Sequence, residues 1–201
     1  NSFPVHKDTP IPLLDGTTLT IEKLSKQMEK NPNHTNWVYS VQDETQQVVP
    51  GKVVWCGKNY TAKKLVKVWL DDDSYVMTAP EHPFVMRDGS HKRADELCEG
   101  ESLMPLYRKL STKEDGMKIE GYPIVYDPKS SKFKFVHRIV ANEALKEERE
   151  LVRSQVNWSI NNNLVVHHED HDHLNAHPQN LRWMGNVDHF VMHSENARQR
   201  I

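Results

Sequence analysis

Two pairs of histidines near the C-terminal end constrain this chain more than any other feature. Leu164-Val165-Val166 is a short apolar run, and His167-His168 follow it directly. Such a run predicts a buried strand, and packing alone is a poor reason to end a strand on two imidazoles. His189 and His193 are four residues apart, the spacing that puts two side chains on one helix face. A fold that brings the strand end to that helix face gathers three imidazoles around one point. Three imidazoles suit a single divalent metal ion, and His168 is then left beside it as a spare base.

The totals exclude several classes. The chain of 201 residues has room for one large or two small domains with real cores. Its formal charge of -2 gives no global sign of a nucleic-acid binder, so any basic stripe must be local. Lys and Arg stand at 13 against 13 Asp and Glu from residue 109 onward, so that half is not basic as a whole. Histidine is the outlier: there are 12, and most lie between His167 and His193. The two cysteines, Cys56 and Cys98, are too few for a Cys-rich zinc site and do not suggest a secreted scaffold, which favours a reducing cytosol. No apolar run approaches the roughly 18 residues of a membrane span, and no signal peptide opens the chain. The expected location is therefore the cytoplasm of a bacterial or phage-infected cell, with no membrane partner.

Short strand-like pieces separated by turn signals run from Pro4 to about Leu106. Ile11 to Leu19 reads as strand, Asp15-Gly16 turn, strand. Ile21 to Lys30 reads as a helix. Strands are then expected at Trp37–Val41, Val48–Cys56, Lys64–Leu70 and Tyr75–Met77, with a turn at Arg87-Asp88-Gly89-Ser90. This spacing predicts an all-β unit. The polar stretch from Lys109 to Met117 reads as a linker. Tyr122 to Phe135 reads as a hairpin around Asp127 to Lys132, Asn142 to Val156 as one helix, and Asn161-Asn162-Asn163 as a loop. After the histidine strand come a polar turn, a segment Gln179 to Trp183 and a helix over Asn186 to Arg198. Trp158 and Trp183 are expected in the core.

Strand, polar loop, Asn-Leu pair and His-bearing helix make a ββα unit around one metal. That unit suits phosphodiester hydrolysis, which needs a base for water on one side and a Lewis acid on the other. His168 takes the base role. His167 and His189 are the expected metal ligands, with His193 as a third. Asn180 is expected to clamp the loop and orient the base imidazole. His171, His173 and His177 read as solvated loop residues, and His137 as a packing or capping residue. Lys118, Lys129, Lys132, Lys134 and Arg138 form a local basic stretch, either a solvated hairpin or a set of phosphate contacts. Arg182, Arg198 and Arg200 flank the site and are candidates to hold backbone phosphates.

Val165-Val166-His167-His168-x-Asp170, Asn175-x-x-Pro178-x-Asn180-Leu181 and His189-x-x-x-His193 together resemble the HNH endonucleases, closest to the branch found in homing endonucleases. The upstream element Val136-His137-Arg138-Ile139-Val140-Ala141 fits the same family, and the resemblance covers about Gly121 to His193. It departs at Ala176, where an asparagine is common, and at His167, where many relatives carry Asp. The histidine shifts metal preference toward softer ions.

The first half resembles the hedgehog/intein (Hint) fold through Asp8-Thr9-Pro10-Ile11, Ala79-Pro80-Glu81-His82 and Leu97-x-x-Gly100-x-Ser102-Leu103-Met104-Pro105-Leu106. In that family an N-terminal nucleophile attacks its own preceding carbonyl, and a Thr-x-x-His element activates that peptide. Here Pro4 stands in the nucleophile position, and Ala79 replaces the usual threonine, with Thr78 one residue early. The His-Asn-nucleophile ending is also missing. These departures imply a scaffold that does not splice alone.

The expected architecture is α+β, an N-terminal all-β Hint-like domain followed by a ββα-metal HNH domain. The expected bounds are 4–108 for the first, 109–120 for a linker and 121–201 for the second. The expected activity is metal-dependent cleavage of double-stranded DNA, using Mg²⁺ or Mn²⁺, with Zn²⁺ also compatible with the ligands. The alternative is a protein-splicing fragment with a decayed nuclease that needs a C-terminal partner segment. A third reading is a zinc-stabilised DNA-binding module without catalysis. One ββα site cuts one strand at a time, so double-strand cleavage would need a dimer on DNA or sequential nicks.

Overall fold

A computed structural model describes residues 4–42, 44–59, 61, 63–156 and 163–198. β1 (Pro10–Pro12) and β2 (Thr18–Thr20) pair as an antiparallel hairpin. Asp15 Oδ1 accepts from the Thr17 amide at 2.9 Å to close the turn. Gly16 is needed there twice over. Its φ is +87°, and a Cβ would come within 2.9 Å of the Leu174 carbonyl oxygen. Thr20 then caps α1 (Ile21–Lys30), its hydroxyl accepting from the Lys23 amide at 3.3 Å. The helix has the bounds that the sequence pattern predicts.

β3 (Trp37–Gln42) pairs with β4 (Gln47–Lys52), β5 (Val66–Trp69) with β6 (Tyr75–Thr78), and β7 (Pro83–Val85) with β8 (His91–Arg93). Aspartates pin two of these turns: Asp72 accepts from the Ser74 amide and Asp88 from the Ser90 amide. Cys56 and Cys98 are both free thiols.

β9 (Arg108–Leu110), β10 (Pro123–Asp127) and β11 (Lys132–Phe135) form a three-stranded antiparallel sheet in the order β11-β10-β9. The stretch 109–120, read as a linker, is therefore structured. Its first residues pair with β10, and Ser111 is buried between the Ile119 carbonyl and the Tyr122 amide. Two helices follow, α2 (Val136–Ala144) and α3 (Lys146–Gln155), where one helix from Asn142 was expected. α2 starts early because Val136, His137, Val140 and Ala141 make one buried face. It stops at Leu145, which leaves helical geometry and packs on the core.

β12 (Leu164–His168) and β13 (Leu181–Gly185) form the last hairpin, and α4 (Asn186–Arg198) packs on both strands. Asn161, Asn162 and Trp158 lie outside the described residues. Trp183 is in the core, its indole N–H donating to the Ala141 carbonyl at 3.2 Å. The mixture of strands and helices makes the fold α+β. Among the described residues no helix is long and apolar enough to cross a membrane.

One core spans both halves. Leu14 and Val48 from the first half pack with Val125, Val136, Val140, Ala176 and Leu181 from the second. The Ala176 amide also donates to the Leu14 carbonyl at 2.8 Å. Leu14 is 2% exposed. Leu14→Ala is therefore expected to cost about 2–5 kcal/mol and to destabilise both halves together. Urea unfolding, followed by tryptophan fluorescence and by backbone circular dichroism, checks this. Loss of only the N-terminal signal would refute the shared core.

Candidate functional site

Successive strand residues point to opposite faces, so the adjacent pair at the end of β12 serves two different neighbours. His167 meets α4, and His168 meets α2.

On the first face, the His167 ring lies 5.3 Å from both His189 and His193, centre to centre. His189 and His193 sit one turn apart on α4, with their Nε2 atoms 3.2 Å from each other. One ring nitrogen from each of the three lies within 4.8 Å of the others. A tetrahedral ion with Zn–N bonds of about 2.0–2.1 Å would hold such nitrogens roughly 3.3 Å apart, a distance within reach of side-chain rotation. Burial, and then the neighbouring imidazoles, hold His167 and His189 below the usual histidine pKa. Both are thus in the neutral form that binds metal. Three imidazole nitrogen donors fit a divalent ion of borderline softness better than Mg²⁺, which demands oxygen.

His171 joins this cluster, with its ring 5.4 Å from His167 and 5.5 Å from His193. It is exposed in the loop, as the sequence reading expects, and lies at the rim of the three-histidine set. Its φ of +61° turns the loop back over the strand end.

On the second face, His168 is 6% exposed and its Nε2 is buried without a partner. Burial is the main cause that pushes its pKa down to about 4, with the Asp170 carboxylate opposing. Its ring is 5.2 Å from His137 and 6.0 Å from Tyr122. His137 is likewise buried and is pushed down to about 3, by burial first and then by His168 and Arg138. His173 is half-buried in the loop and packs on Tyr122 at 4.8 Å. Both faces open into one cleft of about 280 Å³, whose walls include Tyr122, His137, His167, His168, His189 and His193. The sequence pattern missed His137 and His173 as wall residues. The buried face of α2 was the available signal for His137.

Asn180 does only part of what was expected. Its side chain accepts from the Asp170 amide at 3.0 Å and donates to Asp170 Oδ1 and the Asn175 carbonyl, each at 2.8 Å. These bonds clamp the loop between β12 and β13. The carboxamide is used up there and does not hold the His168 ring. Asn175 adds a bond to Asp170 at 2.8 Å, which supports the loop without an asparagine at the buried Ala176. His177 leaves the loop to meet the Thr35 carbonyl at 2.9 Å, a contact between the two halves and not a solvated position.

The basic residues divide. Lys129, Lys132 and Arg138 are exposed, and Arg138 lines the cleft. Lys134 is instead spent on Asp127, a carboxylate 2% exposed. Arg182 is exposed beside His167 in register and pairs with Glu169 at 3.2 Å. Arg198 ends α4, and its side chain and Arg200 lie outside the described residues.

In the first half, the Ala79 amide donates to the Pro4 carbonyl at 3.1 Å, and Val5 bridges Thr78. The His82 amide donates to the Ala79 carbonyl at 3.1 Å. Pro4, Thr78 and His82 are thereby gathered, and Thr78 is fully buried. Asp8 pairs with Lys7 and His6, while Thr9 anchors the start of α1 through its carbonyl to the Ile21 amide.

The chain is 33% identical over 195 residues to the B-type subunit of DNA gyrase from Synechocystis sp.. The match covers 96% of this chain but only 17% of that protein. No family model matches the chain.

Proposed function

We propose that this chain is an HNH-type homing endonuclease that cleaves phosphodiester bonds of double-stranded DNA. The carrying observation is the convergence of His167, His189 and His193 within 4.8 Å, with His168 next to them on the same strand end. A divalent ion held by these three imidazoles would supply a Lewis acid for the scissile phosphate and leaving oxygen. His168, neutral at pH 7, takes the proton from the attacking water. Arg138, which lines the cleft, and the exposed Arg182, opposite His167 in the hairpin, hold neighbouring phosphates. The exposed Lys129 and Lys132 extend that contact along the hairpin. The N-terminal half is an intein-type scaffold, and residues 4–108 and 121–201 are the two functional units of the chain, joined through the core. A match confined to a small part of a DNA gyrase protein accords with a mobile element carried inside a host protein.

The test is nicking of supercoiled plasmid by the purified chain. Cleavage is expected with Mn²⁺, Co²⁺ or Ni²⁺, weakly with Mg²⁺, and not with EDTA, because the donor set is all nitrogen. Equal cleavage in EDTA, or none with any ion, would reject the reading.

A second reading has an observation of its own. Pro4, Thr78, Ala79 and His82 are gathered as a splicing centre would gather them. In that reading the chain is a splicing fragment that needs a C-terminal segment. Pro4 has neither thiol nor hydroxyl to attack with. A ligated product on adding that segment would favour this reading over the first.

A further inference from the structure

We infer that His137 is a positioning residue for His168, accepting a hydrogen bond from the His168 Nε2–H and so aiming Nδ1 at the water. The inference rests on the nuclease reading for its consequence, though its geometry stands alone. Two buried ring nitrogens have no partner in this region, His168 Nε2 and His137 Nδ1. An unpaired buried polar atom costs about 1–3 kcal/mol, so two of them on facing rings call for an explanation. The ring centres are 5.2 Å apart at an interplanar angle of 68°. That separation is about what a ring-to-ring N–H···N bond of roughly 2.9 Å requires. The remaining freedom is ring rotation, which is soft for histidine.

The chemistry is complementary. A neutral imidazole has one donor and one acceptor nitrogen. With the proton of His168 on Nε2 and that of His137 on its own Nε2, one bond pairs both orphans. His168 Nδ1 is then the free lone pair. When it takes a proton from water, the new imidazolium keeps its Nε2–H on His137, which stays neutral. No other proton moves. The alternative orienting group, Asn180, is committed to the loop. Tyr122 flanks both rings, 5.4 Å from His137 and 6.0 Å from His168, and closes the pair against the cleft wall.

The experiment compares the wild-type chain with His137→Phe and His137→Gln, using plasmid nicking with Mn²⁺ and metal titration by calorimetry. Phenylalanine keeps the ring but loses the acceptor; the Gln side-chain oxygen supplies one. His137→Phe is expected to lower kcat about 10–100-fold with KM and metal affinity unchanged, and His137→Gln to recover part of it. Wild-type kcat in a folded His137→Phe chain would overturn the proposal. The second measurement is ¹⁵N NMR of the ring nitrogens in the metal-free wild-type chain, which needs no activity and no variant. A protonated, hydrogen-bonded Nε2 on His168 supports the proposal, and a proton on Nδ1 overturns it. Absence of cleavage in the wild-type chain would reject the nuclease reading, while the NMR result still decides the His137 contact.

Discussion

His168→Ala is expected to lower metal-dependent nicking by about 10²–10⁴-fold, the range for loss of a positioned general base. The same substitution should leave metal affinity nearly unchanged. The reason is the alternation of β12: His167 points to α4 and its two histidines, whereas His168 points to α2. Removing the second imidazole leaves the first face intact. Single-turnover cleavage with Mn²⁺, read beside calorimetric metal titration, separates the two effects. A variant that still cleaves within tenfold of wild type would remove His168 from the base role. A variant that binds no metal would show that the two faces are not independent.

Acidification of the metal-free chain is expected to have the second large effect. His137 stays neutral in the folded chain until about pH 3, while in an unfolded chain it takes its proton near pH 6.5. Across that window the unfolded state binds more protons, so stability falls as pH falls. The contribution is fully present above pH 6.5 and is lost progressively down toward pH 3. At about 1.4 kcal/mol per unit, His137 alone accounts for roughly 2–3 kcal/mol between pH 6.5 and pH 4.5. His168 acts in the same direction, more weakly because it is less enclosed. The carboxylates held low by their partners, such as Asp115 beside Lys109, lose their share only below about pH 4. Urea titrations in EDTA from pH 7 to pH 4.5 test this, with His137→Phe expected to flatten the curve. A wild-type stability that does not change over that range would refute the burial of His137.

Much of the local structure is legible from residue order. α1 and α4 have the predicted bounds, and the Asp15-Gly16 turn sits where its chemistry places it. α1 and the turn are set by neighbours in sequence: a Thr cap and a glycine with positive φ. The one expected helix that became two had no such signal at its break. Leu145 leaves the helix to reach a core made by strands far from it in sequence.

The candidate site divides along the same line. Spacing alone puts His189 and His193 on one helix face and His167 and His168 at the end of one strand, because helix and strand periods are properties of the backbone. What those histidines meet is decided by tertiary packing. α4 folding on β12 and β13 closes the three-imidazole cluster, and α2 sets His137 against His168. Asn180 was expected to reach the base, and the loop takes it instead, since its carboxamide has only so many donors and acceptors. The shared core of the two halves is likewise a tertiary fact. Leu14 reads as an ordinary strand residue, and only the folded chain shows it packed among Val125, Val140 and Leu181. Residue order therefore determined the elements and the ligand spacing, through short-range backbone geometry. The partners of His168 and the union of the halves come from contacts between distant segments, which no local period encodes.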